Sequence, residues 1–145
     1  IQRRSKMHYS MLTALVFLTC STAASRLEKQ TVSVWGSLKC GGYIMKNTPI
    51  EMRLRDYSII MTMRVLNTTT SDENGKFALT GSAEQDSPIE TSLFIKHYCN
   101  VDDKVNCHRE RTENIPIEHI NKGEVNMGDL RMEMVPSSGP VIQCS

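Results

Sequence analysis

Apolar and polar residues alternate along most of this chain with a period of two, the mark of strands that bury one face and wet the other. In residues 32–40, Val32, Val34, Leu38 and Cys40 share one face, and Thr31, Ser33, Trp35, Ser37 and Lys39 share the other. Residues 50–56 repeat the pattern, with Ile50, Met52 and Leu54 against Glu51, Arg53 and Arg55. Residues 129–134 do so again, with Leu130, Met132 and Met134 against Arg131 and Glu133. Other strands are less regular. Residues 59–67 are rich in apolar and β-branched side chains. Asp72-Glu73-Asn74-Gly75 then predicts a turn, because Asn-Gly tolerates positive φ. A strand over 76–80 follows, turning Phe77 and Leu79 to one side. In residues 92–99, Leu93, Ile95 and His97 oppose Phe94, Lys96 and Tyr98. Residues 109–115 are polar and predict an edge strand before Pro116, and 124–127 a short strand before Gly128. Helical periodicity is not sustained anywhere, and residues 117–121 suffice for one turn. Seven or eight short strands punctuated by turn signals, with no repeat and no linker, predict an all-β fold, an antiparallel β-sandwich.

The first residues follow a different logic. Residues 11–20 read MLTALVFLTC, with Arg3, Arg4 and Lys6 before them and Ser21, Thr22, Ala23 and Ala24 after. Charged, apolar and small residues in that order predict a secretory signal peptide over 1–24, cleaved after Ala24 or Ala23. Ten apolar residues are too few for a bilayer span, which needs about 20. Met7 is a plausible initiator, which would place residues 1–6 upstream of it. The expected mature unit is then one domain over 25–145, secreted and extracellular, with no hydrophobic anchor.

That expectation changes the charge and cysteine arithmetic. The whole chain carries 17 Lys and Arg against 16 Asp and Glu. Loss of the leader leaves 14 basic and 16 acidic residues, a net charge of −2, which gives nucleic acid no broad basic surface to bind. Cys20 departs as well. Cys40, Cys99, Cys107 and Cys144 remain, an even count in a secreted domain, which predicts two disulfides among three connectivities. His97-x-Cys99 and Cys107-His108, with His119 near them, supply zinc-type donors. They lack the usual C-x-x-C or H-x(3–5)-H spacing, so neither a metal nor another cofactor is expected. Residues 99 and 107 lie at strand boundaries with seven residues between them, and a Cys99–Cys107 loop closes easily.

Several motifs occur together in a telling order. Val34-x-Gly36-x-Leu38-x-Cys40-Gly41 opens the domain. Asp72-x-Asn74-Gly75-x-Phe77-x-Leu79-x-Gly81 follows, then Ile95-x-His97-x-Cys99, Cys107-x-Arg109, Ile115-Pro116 and Asn126-Met127-Gly128-Asp129-Leu130, with a Cys close to the end. Over residues 32–144 this set resembles the nematode transthyretin-like family of secreted proteins. The resemblance implies a transthyretin-like sandwich of the immunoglobulin-like, prealbumin type, and an extracellular address. It also implies that the first strand and the tail are neighbours, hence a Cys40–Cys144 bridge beside Cys99–Cys107. It does not imply an enzyme. The hydroxyisourate hydrolases share the fold and end in Tyr-Arg-Gly-Ser, whereas this chain ends Val141-Ile142-Gln143-Cys144-Ser145.

No catalytic constellation is legible. His97, His108 and His119 have no nucleophile beside them at a known spacing. Asp72-x-Asn74-Gly75 begins like a calcium loop but lacks the later ligands, and a hairpin turn accounts for it. Asn67-Thr68-Thr69 is a glycosylation sequon, so Asn67 is a candidate glycan acceptor. Function is therefore expected in surfaces. Trp35, the sole Trp, falls on the wet face of its strand beside Lys39, and this pair is the candidate partner surface. A structural role would instead pack Trp35 under residues 26–30 or stack it on Arg53 or Arg55. The expected function is an extracellular binding module, an adaptor for a protein or lipid surface. A carrier of a small apolar ligand in a transthyretin-like oligomer is the alternative, resting on fold analogy, and a hydrolase is more remote.

Overall fold

The computed structural model describes residues 26–56, 62–134 and 142–145. The expected signal peptide lies outside them. The chain runs β1 (Glu28–Cys40), β2 (Tyr43–Ile44), β3 (Pro49–Asp56), β4 (Thr62–Thr70), β5 (Lys76–Gln85), β6 (Glu90–His97), β7 (Cys107–Ile115), a single 3-10 turn at Ile117–His119, β8 (Glu124–Arg131) and β9 (Gln143–Cys144). Two sheets form. In one, β5 and β8 flank β1, and β2 pairs with the end of β1; the other has the order β4-β3-β6-β7-β9. Seven strands hold eight residues or more, and β2 and β9 hold two each. One pair departs from the expected antiparallel pattern: β8 lies parallel to β1.

The core is the product of the alternation. Val32, Val34 and Leu38 of β1, with Phe77, Leu79 and Ala83 of β5, face Ile50, Met52 and Leu54 of β3 and Leu93 and Ile95 of β6. Each large side chain buried this way is worth roughly 1.5–3 kcal/mol. Small residues admit the close approaches. At Gly36 a Cβ would lie 2.9 Å from the carbonyl oxygen of Gly128 and 3.1 Å from the Phe77 ring. There β8 carries an extra residue, a bulge between the Trp35 and Ser37 registers, with Gly128 at φ +69°. A second bulge in β4, opposite Met52 and Arg53, leaves Leu66 half-buried on the core.

The turn at 72–75 forms as expected. The Asp72 carboxylate accepts from the backbone N–H groups of Asn74 and Lys76, both at 2.8 Å, and Gly75 takes φ +72°. β7 is polar on both faces. The guanidinium of Arg111 pairs with Glu113 and donates to the Arg131 and Met134 carbonyls, at 2.5 and 3.2 Å, closing that side of the sandwich.

Three expectations are corrected. The last long strand stops at Arg131, because β1 itself ends at Cys40: the Met132 N–H donates to the Lys39 carbonyl and Met134 turns back to Arg131. Met132 is buried, but Met134 is 58% exposed rather than inward-facing. The disulfides are Cys40–Cys99 and Cys107–Cys144, not Cys99–Cys107 and Cys40–Cys144. Cys40 and Cys99 continue the inward faces of β1 and β6, so they meet across the two sheets. The tail returns beside β7, where Cys144 is in register with Cys107, and not beside β1.

Candidate functional site

β1 is the central strand of its sheet, so its outward residues stand in the middle of an open face. Trp35 lies between Ala78 of β5 and Asn126 of β8 and is 44% exposed. Its neighbours along the strand are tied down. Ser33 and Thr80 hydroxyls are 2.9 Å apart, and Ser37 donates to Asp129. Lys39 Nζ sits 2.5 Å from the other Asp129 oxygen. Hydrogen bonds from Lys39 and Ser37 hold the Asp129 carboxyl below the usual carboxylate range. Lys39 therefore flanks Trp35 as half of an ion pair. Arg53, one of the stacking partners considered for Trp35, stacks on Phe94 instead, 3.4 Å from the ring centroid, on the other sheet.

A second surface escaped the reading of the sequence. Gly41 and Gly42, at φ +56° and +89°, turn β1 back into the two-residue β2. This places Tyr43 at the molecular surface, 80% exposed, next to Ile44. The loop after β6 carries Tyr98 and Val105, the latter 92% exposed. The Cys40–Cys99 disulfide fastens hairpin to loop. Between them lies a cavity of about 420 Å³, lined by the disulfide, Tyr43, Met45 and Tyr98, with Lys46, Lys96 and Lys104 as its cations. The available signal was a tyrosine placed directly after a Gly-Gly turn, where a buried role is hard to reach.

The histidines are not brought into one site. His97 is 1% exposed on the inner face of β6. Its Nδ1 accepts the Cys99 backbone N–H at 3.3 Å, and its Nε2 has no hydrogen-bond partner among the described residues. Burial, and then the charges of Arg109 and Arg111, lower its pKa from 6.5 to about 4. His108 bonds Glu110 at 3.1 Å, and His119 belongs to the 3-10 turn. Cys99 and Cys107 are both half-cystines, so a zinc site would lose its thiolate ligands. Asn67 is exposed on β4, and its Nδ2 donates to the Thr80 carbonyl at 2.8 Å.

The sandwich and its bridges can be set beside known proteins. The model of the transthyretin-like family matches residues 35–116. The chain belongs to the transthyretin-like family. Transthyretin-like protein 33 of Caenorhabditis elegans is 29% identical over 124 residues, covering 82% of this chain and 85% of its own. Transthyretin-like protein 5 of the same organism is 31% identical over 113 residues, covering 76% and 80%. The matched span of this transthyretin-like domain includes Trp35, both tyrosines of the cavity and three of the four bridged cysteines. Two disulfides suit a protein of an oxidising, extracellular setting. Among the described residues no helix is long and apolar enough to cross a membrane.

Proposed function

We propose that this transthyretin-like domain is a secreted, non-enzymatic adaptor that docks a protein or lipid surface, at a cell surface or a host boundary, through the face centred on Trp35. The exposure of Trp35 in the middle of a sheet carries this reading. A large aromatic ring among small, mutually satisfied polar groups offers apolar contact area at little desolvation cost. β1 is hydrogen-bonded on both sides, so the ring stands on a rigid support. The candidate glycan acceptor Asn67 sits on β4, in the other sheet, with its Nδ2 on the Thr80 carbonyl where β4 meets β5.

The test is Trp35→Ala in the secreted chain. Since Trp35 is the sole Trp, its emission reports on this face directly. The free protein should emit at long wavelength and be readily quenched. The variant should keep the parent melting temperature and lose binding to cell surfaces or vesicles that the parent binds. A lowered melting temperature with binding unchanged would make Trp35 structural and end the proposal.

A further inference from the structure

The cavity between the β1–β2 hairpin and the loop after β6 belongs to no surface used above. It lies within one chain, so it does not depend on the adaptor reading or on an oligomer. We infer that it binds a single-chain amphipathic carboxylate, of the medium-chain fatty-acid class.

The size and walls come first. About 420 Å³ falls in the range of small-molecule sites, roughly 300–1,000 Å³. Met45, Pro49 and the Cys40–Cys99 sulfurs present apolar surface, and Tyr43 and Tyr98 present flat rings. Leaving such side chains to water is costly unless something covers them. The hairpin is held open by more than the disulfide. The Met45 N–H donates to the Leu38 carbonyl at 3.0 Å, and Ser71 donates to the Met45 carbonyl at 2.6 Å. The hairpin is therefore fixed at its root.

The charge selects the ligand. Apart from the two tyrosines, every ionisable side chain lining the cavity is a lysine. Lys46 is engaged with Glu73 at 3.1 Å. Among the described residues Lys96 and Lys104 have no ion pair. The nearest carboxylates are held by other groups and lie outside the lining: Glu110, in register with Lys96, bonds His108. Asp103, next to Lys104, accepts from the Asn106 side chain and from the Val105 and Asn106 backbone. Asp102 lies in the exposed loop and does not line the cavity. Lysines as the only ionic groups in an otherwise apolar lining favour one anionic head on an apolar body. A bare phosphate would leave the tyrosine and methionine walls wet. A two-chain phospholipid brings more apolar volume than the cavity holds. A single alkyl chain with a carboxylate satisfies both parts.

The test titrates dodecanoate into the secreted, oxidised protein by calorimetry, with dodecan-1-ol and the methyl ester as neutral matches. Dodecanoate should bind saturably with one site per chain, and the neutral matches about tenfold or more weaker, the scale of one charge interaction. Lys104→Glu, in an exposed loop, should weaken dodecanoate about tenfold and leave the neutral matches unchanged. Adding Lys96→Glu should remove binding. Trp35→Ala should not change it, which separates failure of this site from failure of the adaptor face. No saturable binding below about 1 mM, equal binding of the alcohol, or indifference to Lys104→Glu would each overturn the assignment.

Discussion

Acidification from pH 6.5 towards 4 should destabilise this protein through His97. The imidazole is 1% exposed, between the two sheets, and its folded pKa lies at about 4 against 6.5 in open chain. Below pH 6.5 the unfolded chain takes up a proton that the folded chain refuses until about pH 4. The unfolded state binds more protons across that window, so stability is full above pH 6.5 and falls as pH drops towards 4. At 1.36 kcal/mol per tenfold change, the whole window is worth about 3 kcal/mol, of which about 2 kcal/mol is gone by pH 5. That is a large share of a stability of roughly 5–15 kcal/mol. Urea unfolding of the oxidised protein at pH 7, 6 and 5 measures it. His97→Asn is the control, because an amide oxygen can still accept from the Cys99 N–H and does not titrate. The variant should be weaker at pH 7, since ring volume is lost from the core, yet its stability should vary much less between pH 7 and 5. A parent protein as stable at pH 5 as at pH 7, or an Asn variant that keeps the parental slope, would refute the reasoning.

Two further outcomes follow from the same framework. Replacing Cys40 and Cys99 together by Ala releases a 59-residue closure and should cost about 4 kcal/mol in the chain-entropy account, read as a lower urea midpoint; non-reducing peptide mapping that joined Cys40 to Cys144 would contradict the premise. Gly75→Ala forces a Cβ to 2.9 Å from the Leu38 carbonyl at a φ of +72°, and should cost about 1–3 kcal/mol in thermal or urea unfolding, whereas a neutral result would mean that the turn relaxes freely.

Much of the sandwich was legible because alternation is a direct record of burial. Val32, Val34 and Leu38, Ile50, Met52 and Leu54, and Leu93, Ile95 and His97 all lie in the core as the period of two requires. The disulfides show where the reading went astray. Nearness in sequence favoured Cys99–Cys107, yet the alternation had already put Cys40 with Val32 and Leu38, and two residues past the end of β6 the same alternation puts Cys99 with Ile95 and His97. Two cysteines on inward faces of facing sheets are the pair to expect. The parallel β1–β8 pairing was not legible, because a strand's own pattern says which face is buried and nothing about the direction of its neighbour. β9 and β2 are two residues long, too short to have a period, and the cavity beside Tyr43 was missed with β2. Trp35 was found because an aromatic on a wet face breaks the pattern. The ion pair that takes up Lys39 was not, because Asp129 reaches it only through the pairing of β1 with β8.

β1 joins the two surfaces. Its outward alternation displays Trp35, and its last residue, Cys40, anchors the hairpin that carries Tyr43. Position 40 is five steps on from position 35, about 17 Å along an extended strand, so Trp35 does not itself line the cavity. Nor is there a hinge between them. β5 pairs with β1 from Glu28 to Ser37, and β8 from Ser33 to Lys39, so the connecting backbone is held from both sides. Coupling between two sites needs an element with two arrangements that each ligand biases differently, and a central strand bonded on both edges supplies none. The two surfaces should therefore act additively: filling the cavity leaves docking at Trp35 unchanged, and loss of one leaves the other intact.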